Sequence, residues 1–172
     1  MYRVNDTVVY GAQGVCRIAD ITKRDIGGMP MDYYVLKPVY DDNSTLFVPI
    51  SNDKLTAKMR RTSSPEEIKA LIRSMPEENA DWIDNENVRK ERYREAIAQG
   101  DRSELIKIIK GLYQHQQELQ EKGKRLHLAD ERLFRDAEKM LYDEFAMVLN
   151  IKREQVLPFI LQQIRLEDKE GA

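Results

Sequence analysis

The stretch VCRIADI, residues 15–21, alternates apolar and polar side chains. This period of two is typical of a β-strand with one buried face. Similar short runs, rich in β-branched and aromatic residues and separated by turn residues, cover residues 7–10, 32–37, 45–49 and, as a short fifth strand, 57–60. Four or five short strands joined by tight turns favour a small barrel or a rolled antiparallel sheet.

From residue 61 onward the apolar period changes from two to 3.6, which indicates helices. The segment SPEE, residues 64–67, combines a capping serine, a proline suited to the first helical position and a glutamate that can close a capping box. Apolar stripes predict five helices, over residues 65–74, 83–98, 101–123, 128–149 and 152–167. Pro158 predicts a kink or a later start in the last helix. The fold class is therefore α+β, with a strand domain at 1–60 and an all-α domain at 61–172.

Composition excludes several classes of protein. The net charge of −2 excludes a generally basic protein that coats nucleic acid, so any DNA contact must be local. The chain has one cysteine, which excludes an internal disulfide framework. The N-terminus has no apolar signal core, and no apolar run has the length of a membrane span. These features predict a cytoplasmic protein without a membrane partner.

Few residues suggest catalysis or metal binding. Cys16 lies in a predicted strand with no histidine in the same domain, which favours a buried structural thiol. His115 and His127 lack the partners of a zinc site. The turn at residues 11–14 lacks the Lys-Ser/Thr pair of a phosphate loop. We therefore expect no enzyme activity, metal, cofactor or small-molecule substrate.

The most informative residue is Trp82, the only tryptophan, in a polar segment at the predicted start of a helix. It either marks a contact surface or packs onto its own helical domain. Arg89, Lys90 and Arg92 follow, and basic side chains outnumber acidic ones across residues 89–110. This cluster fits a surface that grips a DNA backbone and probes the minor groove, or an ordinary solvated helix face.

Several segments resemble the N-terminal module of the CarD/CdnL family of bacterial transcription regulators, a module that transcription-repair coupling factor shares. They are residues 5–10, 14–15, 18–21, 33–36 and 48–49. The helical part is similar to the same family in its tryptophan before an arginine-rich helix, in AQGD at residues 98–101 and in LADER at residues 128–132. The resemblance covers nearly the whole chain.

The resemblance implies a non-enzymatic factor whose Tudor-like strand module docks edge-to-edge on the protrusion/lobe region of the RNA polymerase β subunit. Strand-edge pairing of this kind suits a sheet with an open edge. The residues that this implies for polymerase binding are Arg24, Thr45, Leu46, Phe47, Val48 and Pro49. Phe47 stands where the family often has arginine, which implies a more apolar interface or one shifted along the strand.

The resemblance also implies that the helical domain lies against promoter DNA at the upstream edge of the transcription bubble and stabilises the open complex. Trp82 matches the tryptophan that wedges into the minor groove. Arg89, Lys90 and Arg92 are then candidates for phosphate contacts. The alternative from another class is a protein–protein adaptor, in which Trp82 is buried and DNA plays no part.

Overall fold

The computed structural model describes residues 1–41, 43–77 and 82–170, with residue 77 and residues 164–170 described by their backbone alone. It divides into two compact units, Met1–Thr62 and Ser63–Ala172, which we call the strand unit and the helical unit. The sequence analysis placed the boundary at residues 60 and 61. The difference arises because the last strand extends to Arg61.

The strand unit is a five-stranded antiparallel sheet, in the order β4-β3-β2-β1-β5. Its strands are β1 (Thr7–Tyr10), β2 (Val15–Asp25), β3 (Pro30–Pro38), β4 (Leu46–Pro49) and β5 (Met59–Arg61). A four-residue helix, α1 (Asp53–Thr56), precedes β5 and was not predicted. The sheet is open, which confirms the rolled antiparallel alternative. The strand order leaves β4 at one edge.

The register of β3 and β4 sorts their side chains between the two faces of the sheet. Val48 lies opposite Tyr34, and Phe47 lies opposite Val35. Because successive side chains of a strand point to opposite faces, Val48 and Phe47 face different ways. The buried core includes Val48 and the following side chains: Val8, Cys16, Ile18, Tyr34, Leu36 and Met59. Phe47 is therefore on the face away from this core.

The helical unit contains α2 (Pro65–Ser74), α3 (Glu86–Gln99), α4 (Arg102–Glu121), α5 (Leu128–Leu149) and α6 (Val156–Glu170). Short 3-10 turns occupy Met75–Glu77 and Arg153–Gln155. The capping box predicted at the start of α2 is present: Glu67 donates its backbone N–H to Ser64 Oγ at 3.1 Å, and Ser64 donates its own to the Glu67 carboxylate at 3.1 Å. The helix start read from residues 64–67 is thus confirmed.

One predicted helix start differs from the structure. The helix expected from residue 83 begins at Glu86, because Asn85 caps the amides of the first turn, and Trp82 therefore precedes the helix. Pro158 is the third residue of α6, where a backbone N–H would have no partner within the helix, so it delays the start rather than kinking the helix.

The core of the helical unit joins α2, α4, α5 and α6. Its buried side chains are Ile68, Ile72, Ile106, Leu141, Phe145, Ala146, Val156 and Ile160. One buried carboxylate, Glu144, accepts hydrogen bonds from the backbone N–H of Ser63 at 2.8 Å and from Arg102 at 3.1 Å. These bonds attach Ser63, the first residue of the unit, to the C-terminal part of α5. The opposite, N-terminal end of α5 supports the candidate functional site.

Candidate functional site

Trp82 is half-buried and lies four residues before the start of α3. Two side chains contact its ring. The imidazole of His115, on α4, is stacked on it with a centroid distance of 4.0 Å and an interplanar angle of 20°. The guanidinium carbon of Arg89, on α3, lies 4.5 Å from the indole centroid. We call these three residues the tryptophan site.

Arg89 is held in place by α5. It is only 3% exposed, and its Nε and Nη2 atoms donate hydrogen bonds to the two carboxylate oxygens of Asp130, at 3.0 and 2.8 Å. Its Nη1 atom donates to the backbone carbonyl of Ile83 at 2.8 Å. A bidentate arginine–carboxylate pair has a defined orientation, so it gives the guanidinium a set place beneath the indole.

Lys90 and Arg92, the other two basic residues of the predicted set, differ from Arg89 in their surroundings. Lys90 Nζ lies 3.1 Å from Glu86 Oε1, one helical turn away. Arg92 is exposed and follows Arg89 by three residues, which places it on a neighbouring part of the α3 surface. Both cations can therefore meet an anion that approaches this side of α3.

A second group of cations lies in the turn between α4 and α5, at residues 122–125, which we call the basic turn. Lys122, Lys124 and Arg125 are exposed there. Gly123 adopts the left-handed conformation at φ 70°, and Lys124 donates its backbone N–H to the Leu119 carbonyl at 2.8 Å. This arrangement closes α4 with a Schellman motif and sets the direction in which the turn leaves the helix.

The basic turn borders a polar concavity of about 290 Å³. Gln116 and Glu131 also line it. Gln116 follows His115 on α4, and Glu131 follows Asp130 on α5, so the concavity adjoins both helices that support Trp82. The tryptophan site and the basic turn therefore belong to one end of the helical unit.

In the strand unit, three side chains from three neighbouring strands meet on the sheet face away from the core. The guanidinium carbon of Arg24, on β2, lies 4.7 Å from the ring centroid of Phe47, on β4. Tyr33, on β3, packs edge-to-face against the same ring with centroids 6.3 Å apart. We call these residues the edge patch, since it reaches β4 at the edge of the sheet.

The remaining chemically active groups have structural surroundings. Burial raises the pKa of the Cys16 thiol to about 11, which keeps it protonated and unreactive. Within residues 1–41, 43–76 and 82–163, no cluster of His, Cys, Asp and Glu side chains could hold a metal ion. Among the described helices, none is both long and apolar enough to cross a bilayer.

Two family models match the chain. One, described as CarD-like/TRCF RID domain, matches residues 2–63. The other, described as CarD, C-terminal domain, matches residues 68–160. The chain belongs to the CarD family. The resemblance read from the sequence is thereby confirmed, and the protein is a CarD-family transcription factor, from a family of non-enzymatic regulators whose domains suggest an interaction with RNA polymerase.

Among the residues predicted for polymerase binding by this CarD-family chain, the structure brings Arg24 and Phe47 into contact. Leu46, Phe47, Val48 and Pro49 form the edge strand β4, and Thr45 precedes it as an exposed residue. Val48 is only 1% exposed and points into the core. Its side chain therefore supports the strand from inside, and only its backbone lies at the edge.

Among the residues predicted for DNA binding, Arg89 requires a correction. A phosphate contact needs a guanidinium that faces solvent, whereas that of Arg89 is buried and bound to Asp130 and Ile83. In this structure the guanidinium is bound inside the helical unit and lies against the indole of Trp82. Trp82, Lys90 and Arg92 keep positions that solvent or a partner can reach.

Sequence reasoning missed two parts of the site. His115 was considered only as a metal ligand, because the contact with Trp82 joins residues 33 positions apart and no local pattern shows it. The basic turn was visible as KGKR at residues 122–125 but was treated as the end of a helix. A basic run around a glycine that closes a helix is the signal that could have identified it.

Proposed function

We propose that this CarD-family factor binds the RNA polymerase β subunit through its strand unit and contacts promoter DNA at the upstream edge of the transcription bubble through its helical unit. The contact with DNA stabilises the open promoter complex. The observation that carries this proposal is Trp82, an accessible indole supported by Arg89 and His115 at a basic end of the helical unit. The expected location is the bacterial cytoplasm, where polymerase and promoter meet.

The tryptophan site supports the DNA contact on physical grounds. An apolar wedge that enters the minor groove must resist being pushed aside while it separates base pairs. The contacts of Trp82 with His115 and Arg89 provide that resistance, and the Arg89–Asp130 pair connects it to α5. Lys90, Arg92 and the basic turn offer cations for phosphates near the wedge.

The edge position of β4 supports the polymerase contact. A strand with one unpaired side offers backbone N–H and C=O groups to a strand of another protein. β4 has this position in the sheet order, and the edge patch places Phe47 and Arg24 beside it. Phenylalanine and arginine are both enriched in protein interfaces relative to the rest of the surface. The proposed partner is the β-subunit lobe, one strand of which would pair with the unpaired side of β4.

The test is the variant Trp82→Ala in a polymerase–promoter complex. Burying a tryptophan removes about 150–250 Å² from water, or about 4–6 kcal/mol at 25 cal/mol/Å². Unstacking a base step offsets a few kcal/mol of this. The remaining loss of about 1–3 kcal/mol should shorten the open-complex lifetime by about 5- to 150-fold. Binding to polymerase without promoter should be unchanged.

A matched control is Tyr113→Ala, which removes another half-exposed aromatic ring from the same unit. Its open-complex lifetime should equal that of the wild type. The adaptor alternative predicts a different pattern for Trp82→Ala: a large fall in melting temperature with an unchanged lifetime. That pattern would remove Trp82 from the DNA contact and favour a protein partner instead.

A further inference from the structure

We propose that His115 is a positioning residue: its imidazole holds the indole of Trp82 in one orientation, so that a defined edge of the ring faces the DNA. This inference rests on the proposed function, because it specifies how the tryptophan wedge is kept ready. The observation behind it is the parallel stack of the two rings, with centroids 4.0 Å apart and planes 20° apart.

The position of Trp82 in the chain explains why such a support is needed. Residues 82–85 lie outside regular secondary structure, and the helix begins only at Glu86. A tryptophan side chain has two rotatable torsion angles. At this residue, no helical hydrogen bonds fix the conformation of the backbone. Contacts made by the ring itself must therefore select its orientation.

Arg89 alone cannot select that orientation. Its guanidinium is bound by Asp130 and by the Ile83 carbonyl, so it presents one surface to the indole. A cation over an aromatic face attracts that face but restrains the tilt of the ring plane less than a second flat surface does. The imidazole of His115 is a second flat surface, and it comes from a different helix.

His115 is itself well placed to act as a support. Its side chain is 26% exposed, and it projects from the C-terminal half of α4, a helix of 20 residues. Its Nδ1 atom lies 3.9 Å from Glu118 Oε2, one turn further along the helix. The imidazole therefore has neighbours on its own helix, and stacking on it ties the segment before α3 to α4.

The size of the effect follows from the strength of aromatic stacking. Stacked aromatic pairs in proteins shift a conformational equilibrium by about 2- to 12-fold beyond the effect of buried area. Loss of the imidazole should reduce the population of the wedge-competent orientation by that factor. The open-complex lifetime should fall by the same 2- to 12-fold, which is less than removal of the indole would cause.

The experiment uses the full-length protein and its single tryptophan, so intrinsic fluorescence reports on Trp82 alone. His115→Ala removes the ring and leaves a residue well suited to a helix. His115→Phe keeps a flat ring at the same position. His127→Ala is the matched control, since His127 is the other histidine, is exposed and makes no side-chain capping bond. For each variant, acrylamide quenching, melting temperature and open-complex lifetime are measured.

We expect His115→Ala to raise the quenching constant and to shorten the lifetime by about 2- to 12-fold, with little change in melting temperature. His115→Phe should restore both properties, and His127→Ala should match the wild type. Unchanged quenching in His115→Ala would overturn the proposal, as would a His115→Phe variant that behaves like the alanine variant. A fall in melting temperature with unchanged quenching would assign His115 a packing role only.

Failure of the proposed function would look different. If Trp82→Ala leaves the open-complex lifetime unchanged, the tryptophan has no role at the bubble, and the functional part of the His115 proposal falls with it. The quenching comparison between the alanine and phenylalanine variants still decides whether the imidazole holds the indole.

Discussion

At the scale of single residues, burial decides what a charged side chain can do. Arg89 and Asp130 are both nearly excluded from solvent, and within the described helical unit they form an ion pair with each other. Taking one of two buried charges away leaves the other without compensation in a poorly solvated site. Arg89 of this pair also contacts the ring of Trp82. Loss of the pair should therefore affect both the stability of the helical unit and the tryptophan site.

The variant Arg89→Ala should therefore lower the free energy of unfolding by about 3–5 kcal/mol, because Asp130 is left buried and unpaired. Urea unfolding followed by circular dichroism measures the change. The control is Lys90→Ala on the same helix, whose exposed pair with Glu86 should contribute almost nothing. A normally stable Arg89→Ala variant with weakened DNA binding would restore Arg89 to the phosphate contacts.

At the scale of secondary-structure elements, the strand unit has its accessible edge at β4, and the helical unit has its cations in α3 and in the turn after α4. The edge patch links three strands, so a partner that pairs with β4 also meets Arg24 from β2. Because Phe47 lies on the face away from the core, its replacement removes contact surface without opening a cavity in the main core.

We accordingly expect Arg24→Ala and Phe47→Ala each to weaken binding to the polymerase β lobe by at least about 5-fold, the loss typical of a residue central to an interface. Pull-down or interferometry with the full-length protein measures this. Lys23→Ala is the control, since its side chain points to the opposite face of β2 from its neighbour Arg24. If both variants bind normally, the polymerase contact lies on another part of the protein.

At the scale of the whole molecule, the charge balance limits what the protein can bind by itself. Its net charge of −2 repels DNA, whereas the helical unit carries exposed cations at Arg92, Lys124 and Arg125. A few phosphate contacts give weak, salt-sensitive binding. Under the proposed function, placement on the promoter comes from the polymerase, which raises the local concentration of the helical unit at the DNA.

The isolated protein should therefore bind duplex DNA weakly, with a salt slope set by two to four phosphate contacts at about 0.9 each. In the complex with polymerase and promoter, Lys124→Gln/Arg125→Gln should reduce the salt slope by about 1.8. Fluorescence anisotropy across a salt series measures both. Arg73→Gln/Lys139→Gln removes the same charge from other exposed positions and is the control. Tight, salt-resistant binding by the isolated protein would contradict this expectation.

Local patterns in the sequence determined the elements of this protein. The alternation at residues 15–21 and the capping box at residues 64–67 predicted a strand and a helix start that the structure contains, because period and capping depend on residues close together in the chain. The family was also readable, since its spaced motifs lie along the primary sequence.

Only the tertiary structure decided which side chains meet. Arg89 and Asp130 are 41 residues apart, and Trp82 and His115 are 33 apart. No sequence period relates such distant positions. From the sequence alone, Arg89 was therefore a candidate for a phosphate contact, because it is a basic residue near a tryptophan. Packing of α3 and α4 against α5 buries Arg89 and leaves Lys90 and Arg92 nearer to solvent. The free energy of burying a charge depends on every helix around that charge. This tertiary term distinguishes Arg89, which supports Trp82 from inside, from Lys90 and Arg92 at the surface.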